Sequence, residues 1–223
     1  MPDLTPVLLS LQLALVTTAL LFVLALPVAY WLAMTRSGFK PVVEAVTALP
    51  LVLPPTVIGF YLLLALNPSA PIGSFWVSLT GDTLVFSFSG LVVASLIYSL
   101  PFMVQPLQSA FESVGRGPME AASVLRASRL DAFFNVMLPA STRGIVTACV
   151  LTFAHTIGEF GVVLMVGGNI PDRTRVVSIA IFEQVEAVNY GDAHVLSGGM
   201  LIFAFLTLFV VYALNRRHAV RVG

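Results

Sequence analysis

Long apolar runs dominate this sequence, and they constrain its fold more than any other feature. Five runs lie at roughly residues 8–33, 42–66, 84–103, 144–166 and 195–214. Each is close to the ~20 residues that a helix needs to cross the hydrocarbon core of a bilayer. Only 10% of the residues are charged, whereas a soluble domain has about 25%. The sequence therefore predicts an all-α polytopic membrane protein with about five transmembrane helices.

Basic residues are distributed unevenly over the connections between these runs. If the C-terminus is cytoplasmic, the two outer basic residues are Arg173 and Arg175. The positive-inside rule associates an excess of basic residues with the cytoplasm. Five spans then place the N-terminus outside, an N-out/C-in topology. The nine basic residues of the inner side are Arg36, Lys40, Arg116, Arg126, Arg129, Arg143, Arg216, Arg217 and Arg221.

Proline and glycine mark predicted breaks and turns. Pro54-Pro55 removes two backbone donors within the second run, so the helix should break or kink there. The outer connection at 67–83 is rich in proline and glycine and is predicted as a loop. In the next outer connection, Asn169-Ile170-Pro171 should end the fourth span. The stretch VVSIAIFEQVEAV that follows is predicted as an interfacial or re-entrant helix, because it is too short and too charged to span.

A polar segment, EAASVLRASRLDAFFNVMLP, separates the third and fourth runs on the predicted cytoplasmic side. Gly117-Pro118-Met119-Glu120 is typical of a helix start, because proline suits the first turn and a carboxylate complements the N-terminal dipole. The small side chains of Ala121 and Ala122 allow another surface to approach closely. The segment is either an interfacial helix on the inner leaflet or a docking helix for a soluble partner.

The EAA triplet, followed by LP before the next span, resembles the coupling segment of type I ABC importer permeases. In that family the segment inserts into a cleft on the ATPase subunit. The family generally has glycine where this chain has Arg126. Either the chain still turns at Arg126, or the helix continues and points the cation at the partner. The resemblance implies a contact set of Glu120, Ala121, Ala122, Val124, Leu125, Arg126, Leu138 and Pro139.

Three further stretches, at 49–66, 99–114 and 157–182, resemble the molybdate branch of these permeases. The resemblance implies one type I ABC transmembrane domain over 1–223, with a core at about 8–214 and a coupling segment at about 116–140. It also implies an inner-membrane homodimer, two ATPase subunits and a periplasmic binding protein that delivers molybdate or tungstate. Transport would proceed by alternating access. Sulfate and thiosulfate permeases share part of the pattern but are usually longer, and they are the alternative.

This chain is not expected to be an enzyme. A P-loop needs a lysine after a glycine-rich loop, and the only lysine, Lys40, has no such loop before it. ATP and Mg²⁺ are therefore expected on the partner ATPase, with no cofactor on this chain. His194 and His218 lack the clustered partners that a metal site requires. Cys149 is predicted to be a small core residue, and no nucleic-acid partner is expected.

Several residues within the spans are candidates for the transport path. Backbone groups freed at Pro54 and Pro55, together with Thr56, can line a cavity. Thr156 and Glu159 are further candidates in the fourth run, where Glu159 is the only acid.

His155 lies four residues before Glu159 and hence on the same face of a continuous helix. The two are predicted to form a pair that holds the fourth spans of two protomers in register. The alternative is that Glu159 lines or gates the path, because ionisable residues in a membrane are usually functional.

Two other classes of protein compete with a transport subunit. In a membrane anchor or sensor, the cytoplasmic helix binds a signalling partner and nothing crosses the membrane. An ion channel is the third possibility, but the sequence contains no repeated filter-like loop. Spans interrupted by glycine and proline, with a polar segment between the third and fourth, favour transport.

Overall fold

The computed structural model describes residues 3–216, and every regular element in that range is helical. The outer and membrane elements up to the cytoplasmic segment are α1 (Thr5–Met34), α2 (Lys40–Val52), α3 (Pro55–Ala65), α4 (Pro71–Thr80), α5 (Phe88–Tyr98) and α6 (Leu100–Val114). The cytoplasmic segment contains α7 (Gly117–Val124), α8 (Arg129–Ala132), a π-helical turn (Phe133–Met137) and α9 (Leu138–Ala140). The chain ends with α10 (Thr142–Gly158), α11 (Gly161–Gly167), α12 (Val177–Glu186) and α13 (Tyr190–Arg216).

Two of the predicted spans are unbroken helices, and the others are counted only when bent helix pairs are taken as single spans. Helices α1 and α13 are long and apolar enough to cross a membrane by themselves. Three bent helix pairs bring the number of candidate spans to five. The bend is 109° between α2 and α3, and 43° between α5 and α6. The prediction of an all-α polytopic membrane protein is confirmed.

Helix α1 packs along α6 and forms the centre of the cytoplasmic half. Leu21 and Leu32 of α1 are buried against Met103, Leu107 and Phe111 of α6. Fully buried alanines on α1, such as Ala29 at 0% exposure, let the helices approach closely, as small residues do in membrane helix packing. Helix α6 continues beyond the predicted apolar run, which ended at about residue 103, and reaches Val114 along this buried face.

The predicted break in the second span is confirmed. Helix α2 ends at Val52, and α3 begins at Pro55 with Pro54 in an extended conformation at its N-cap. Proline has no N–H to donate, so it is tolerated at a helix start and interrupts a helix interior.

The prediction that 67–83 forms a loop is wrong. Its prolines and glycines mark the ends of a helix rather than a continuous loop. Pro71 occupies the first turn of α4, and Gly81 closes the helix with φ 78°. Both are positions that these residues favour at helix ends.

The fourth span is also broken, which the sequence analysis did not predict. Helix α10 ends at Gly158, Glu159 adopts an extended conformation, and α11 begins at Gly161. No proline marks this break. The predicted stop at Asn169-Ile170-Pro171 agrees with the end of α11 at Gly167, and α12 is the helix expected after it.

The two ends of the molecule carry the two predicted groups of basic residues. At one end, Lys40 Nζ lies 3.0 Å from Glu112 Oε1, and the Arg116 guanidinium donates to the Met34 carbonyl at the end of α1. At the other end, the Val177 N–H donates to Ser10 Oγ near the start of α1. Arg217, Arg221 and His218 lie outside the described residues, as does the side chain of Arg216.

The first prediction concerns orientation. In a Cys149→Ala background, Ser69→Cys and Ser123→Cys each place one thiol on an exposed position at opposite ends of the molecule. The positive-inside rule predicts that an impermeant maleimide added to intact cells labels Ser69→Cys only. Permeabilised cells, in which both thiols should react, provide the control. Labelling of Ser123→Cys in intact cells would reverse the orientation.

Candidate functional site: the coupling segment and the broken spans

The cytoplasmic segment presents large apolar side chains to water. Val124 and Leu125 are each 83% exposed, and Leu130 is 71% exposed. Glu120 and Ala121 are also exposed, whereas Ala122 is buried against the protein. An exposed apolar patch of this kind marks a surface that another protein or a membrane covers. We call Glu120, Ala121, Val124 and Leu125 the docking face.

Helix α7 ends in a tight turn at Arg126, not in a continuous helix. The Ala127 N–H donates to the Ala122 carbonyl (3.1 Å), and the Arg126 N–H donates to the Ser123 carbonyl (3.0 Å). This pair of hydrogen bonds defines a Schellman motif. Arg126 occupies its left-handed position with φ 64°, where glycine is usual. The chain therefore turns as the family does, and the alternative of a helix that continues through Arg126 is wrong.

The rest of the segment anchors the docking face to the spans. Phe133 packs edge-on against Tyr30 of α1, with ring centroids 4.8 Å apart. Tyr30 also contacts Phe111 of α6 at 5.9 Å. Leu138 is partly buried against the same core, whereas Pro139 is exposed. A movement of the docking face should therefore be transmitted directly to α1 and α6.

The break in the second span packs against the break in the fourth span. A Cβ added to Gly161 would lie 2.7 Å from Pro55 Cβ. Glycine at the start of α11 therefore allows this close approach. Pro54 and Thr56 are exposed on the surface of this single chain, and Pro55 is half-buried. Of the candidate path residues, these three line a surface that another subunit or water can reach.

The other candidate path residues are enclosed within the chain. Glu159 and Thr156 are each 3% exposed. Ser95 Oγ of α5 donates to Glu159 Oε2 at 3.0 Å, and Ser178 Oγ of α12 donates to the Glu159 carbonyl. These hydrogen bonds connect the break in the fourth span to two neighbouring helices. Glu159 therefore fixes the break, and it does not face an open path in this conformation.

His155 and Glu159 do not form the predicted pair within the chain. His155 Nδ1 lies 3.0 Å from Ser99 Oγ, and its ring stacks on Phe102 at 3.8 Å between centroids. The prediction assumed a continuous helix from 155 to 159. Because α10 ends at Gly158, the four-residue spacing no longer aligns the two side chains, and Glu159 turns towards Ser95 instead.

The serines that hold this region together were missed by the sequence analysis. Ser95 and Ser99 are four residues apart on the apolar third span and are both fully buried. Ser99 Oγ also lies 2.9 Å from Thr156 Oγ1. Buried hydroxyls in a span need a hydrogen-bond partner, which is either a carbonyl of their own helix or a group on another helix. The two serines at four-residue spacing were therefore visible in the sequence, but their spacing did not identify which helix would supply their partners.

The fold and the site together define a class: a helical membrane subunit with broken spans and an exposed cytoplasmic docking face. A family model described as "Binding-protein-dependent transport system inner membrane component" matches residues 7–221. The chain belongs to this family, and it is a multi-pass protein of the inner membrane. The resemblance to type I ABC importer permeases is confirmed.

Individual relatives agree with this assignment. The chain is 56% identical to the molybdenum transport system permease protein ModB of Azotobacter vinelandii, over 96% of this chain and 95% of that protein. It is 35% identical to the Escherichia coli K12 protein of the same name, over 83% and 81%. It is 30% identical to the E. coli K12 sulfate transport system permease protein CysT, over 90% of this chain and 72% of that protein.

Two solved structures share the fold. One is the inward-facing MetNI methionine ABC transporter, with a TM-score of 0.71 and 18% identity over 95% of this chain and 94% of that chain. The other is a bacterial alginate ABC transporter in complex with its alginate-bound periplasmic protein. Its TM-score is 0.75, with 16% identity over 96% of this chain and 78% of that chain.

The turn at Arg126 leads to a prediction about stability. A left-handed conformation costs an L-residue other than glycine about 1–2 kcal/mol. Arg126→Gly should therefore maintain or raise the melting temperature, whereas Arg126→Val should lower it, because a β-branched residue tolerates positive φ poorly. Scanning fluorimetry of the purified protein measures both. Arg129→Gly, within helix α8, is the control and should lower stability. An Arg126→Gly protein less stable than Arg126→Val would contradict the turn.

The Ser95–Glu159 hydrogen bond leads to a further prediction. Glu159→Gln keeps an acceptor for Ser95, so it should leave the thermal stability close to that of the wild type. Glu159→Ala leaves a buried hydroxyl unpaired and should cost about 1–3 kcal/mol. Ser95→Ala in the Glu159→Ala background should then add little further loss. Equal melting temperatures for Glu159→Gln and Glu159→Ala would show that this hydrogen bond does not hold the break.

Proposed function

We propose that this chain is the membrane-spanning permease subunit of an ATP-driven importer of molybdate and tungstate. The observation that carries the substrate assignment is 56% identity over nearly the whole length of a molybdenum transport permease. The sulfate permease relative is more distant, at 30% identity. One relative is named for molybdenum transport and the other for sulfate transport, so molybdate is proposed first and sulfate or thiosulfate transport is the alternative.

The docking face supports coupling to a separate ATPase. Val124 and Leu125 expose apolar surface in the cytoplasm, where a cleft on a soluble subunit would cover it. Ala121 beside them offers no side chain beyond Cβ, which permits close approach. The ATPase would hold ATP and Mg²⁺, and this chain would be non-catalytic and bind no cofactor.

The arrangement of the spans supports a homodimeric path. The outer surface of α2 and α3 exposes large apolar residues around the break, including Val52 at 82% and Tyr61 at 65%. A second copy of the chain, with Pro54 and Thr56 near the shared surface, would enclose a path. Two ATPase subunits would then bind the two docking faces, and a periplasmic binding protein would deliver the anion at the opposite end. Alternating access would move the anion inward.

The proposed coupling to the ATPase leads to a prediction that a transport assay can test. The complex is reconstituted in proteoliposomes with its ATPase and binding protein, and uptake of radioactive molybdate is measured. Wild type should accumulate molybdate only with ATP. Ala121→Trp should insert and assemble normally but lose substrate-stimulated ATP hydrolysis and uptake, because the indole blocks close approach at the docking face.

Ala121→Ser is the matched control, since it preserves the small size and should retain both activities. Wild-type stimulation in Ala121→Trp would show that this face does not couple the subunits. ATP-dependent uptake of sulfate without uptake of molybdate would instead assign the chain to the sulfate alternative.

A further inference from the structure

A polar cavity of about 700 Å³ lies between the cytoplasmic ends of α6 and α10. Pro139 and Ala140, at the end of the coupling segment, form one edge of it, but it contains none of the docking-face residues and none of the residues at the breaks in the spans. Unlike the surfaces of α1 and α13, it is lined mainly by hydroxyl groups and by one guanidinium. The polar residues that line it are Ser109, Ser113, Ser141, Thr142, Arg143 and Thr147.

The position of the cavity on α6 indicates that it faces water. Ser109 and Ser113 are four residues apart and therefore share one face of the helix. Another face of α6 buries Met103, Leu107 and Phe111 against α1. A surface of hydroxyls and a cation in the last two turns of a span does not face lipid, because polar groups within membrane proteins face the interior or a water-filled cavity. Ser109, Ser113, Thr142 and Arg143 are exposed on the surface of this chain, so the cavity is open and not enclosed.

Three hydroxyls of the cavity remain able to donate to a ligand. Among the described residues, the Ser109 and Thr147 hydroxyls form no hydrogen bond to protein, although both line the cavity. Ser141 is 3% exposed, and its hydroxyl makes only a long contact, 3.8 Å, to Met137 Sδ. A buried hydroxyl usually has a stronger partner than a thioether sulfur. The cavity thus holds unused hydrogen-bond donors.

The cavity also carries positive charge that no described acid neutralises. The ion pairs among the described residues involve Lys40 and Arg175, and none involves Arg143. The acid of α6 near this end, Glu112, is already paired with Lys40 at 3.0 Å and accepts from Gln108. Arg143 lies in the first turn of the 17-residue helix α10, whose N-terminal dipole adds to its positive potential.

We infer that this cavity is an oxyanion-binding site at the cytoplasmic exit of the transport path. Arg143 supplies the positive charge, and Ser109, Ser141 and Thr147 donate hydrogen bonds to a tetrahedral dianion. This inference rests on the proposed function. One cation with neutral hydroxyls suits an exit site, because an anion must bind well enough to enter and weakly enough to leave. The site is distinct from Glu159, which is buried between α10 and α11 and accepts from Ser95.

The test uses a thiol within the cavity. Ser113→Cys in a Cys149→Ala background places one exposed cysteine in the lining without removing a proposed donor, and the nucleotide-free permease–ATPase complex is treated with a neutral, water-soluble maleimide. Molybdate should slow the reaction severalfold. Arg143→Gln should abolish this protection, whereas Arg143→Lys, which keeps the charge, should retain part of it. Ser123→Cys on α7, outside the cavity, is the control and should react at the same rate with and without molybdate.

The outcomes separate this inference from the proposed function. Uptake by the wild-type complex is measured first, and the anion that it imports is the anion used for protection. An importing complex without protection of Ser113→Cys, or with equal protection in Arg143→Gln, overturns the exit site and leaves the transport function intact. Labelling that is slow without molybdate and becomes fast when the ATPase or anionic lipid is removed would assign Arg143 to a subunit or a lipid phosphate and would also overturn it. Absence of any oxyanion uptake overturns both.

Discussion

The packing of Tyr30 between Phe111 and Phe133 is the contact on which the rest of this structure depends. It joins three parts of the chain that are far apart in sequence: the first span, the third span and the cytoplasmic segment. Aromatic edge-to-face contacts of this kind contribute about 0.5–1.5 kcal/mol beyond the burial of their area. The contact between the Arg116 guanidinium and the Met34 carbonyl reinforces the same junction. Through it, a docking face in water becomes mechanically continuous with helices in the membrane.

The broken spans leave backbone groups free within the bilayer, and these groups need partners inside the protein. In this chain, the break in the second span packs against the break in the fourth span. Pro55 at the second break packs on Gly161 at the fourth break, and Ser95 and Ser178 donate to Glu159 between α10 and α11. The breaks are therefore stable elements of the fold. Separately from the breaks, the cavity between α6 and α10 is lined by hydroxyl groups and by Arg143.

Sequence reasoning succeeded where a single residue or a run of apolar residues determines the structure. Hydropathy identified five spans, since lipid selects for continuous apolar runs, and Pro54-Pro55 located a break because proline lacks a backbone donor. It failed where contacts between distant parts of the chain determine the local structure. The break at Glu159 has no proline, and the serine on another helix that stabilises it is distant in sequence. The turn at Arg126 uses a residue that local preference disfavours.

The same difference explains how much of the site was predicted. The docking face follows from a contiguous motif, so Glu120, Ala121, Val124 and Leu125 were identified from the sequence, and the structure exposes them. The His155–Glu159 pair was inferred from helical spacing and is wrong, since the helix ends at Gly158. The cavity around Arg143 combines α6 with α10, and only the fold brings these helices together.

The central claim is that the docking face moves with the first span as one rigid body. The most direct measurement is the distance between spin labels at Thr5→Cys, at the outer end of α1, and Ser123→Cys on α7, in a Cys149→Ala background. The complex carries one labelled protomer and is measured with and without ATP. Helix α1 has 30 residues and is therefore about 45 Å long, so pulsed electron resonance covers this separation. The distance distribution should remain narrow and unchanged when ATP binds. A shift of several ångströms, or a broad distribution in either state, would contradict rigid coupling between the docking face and α1.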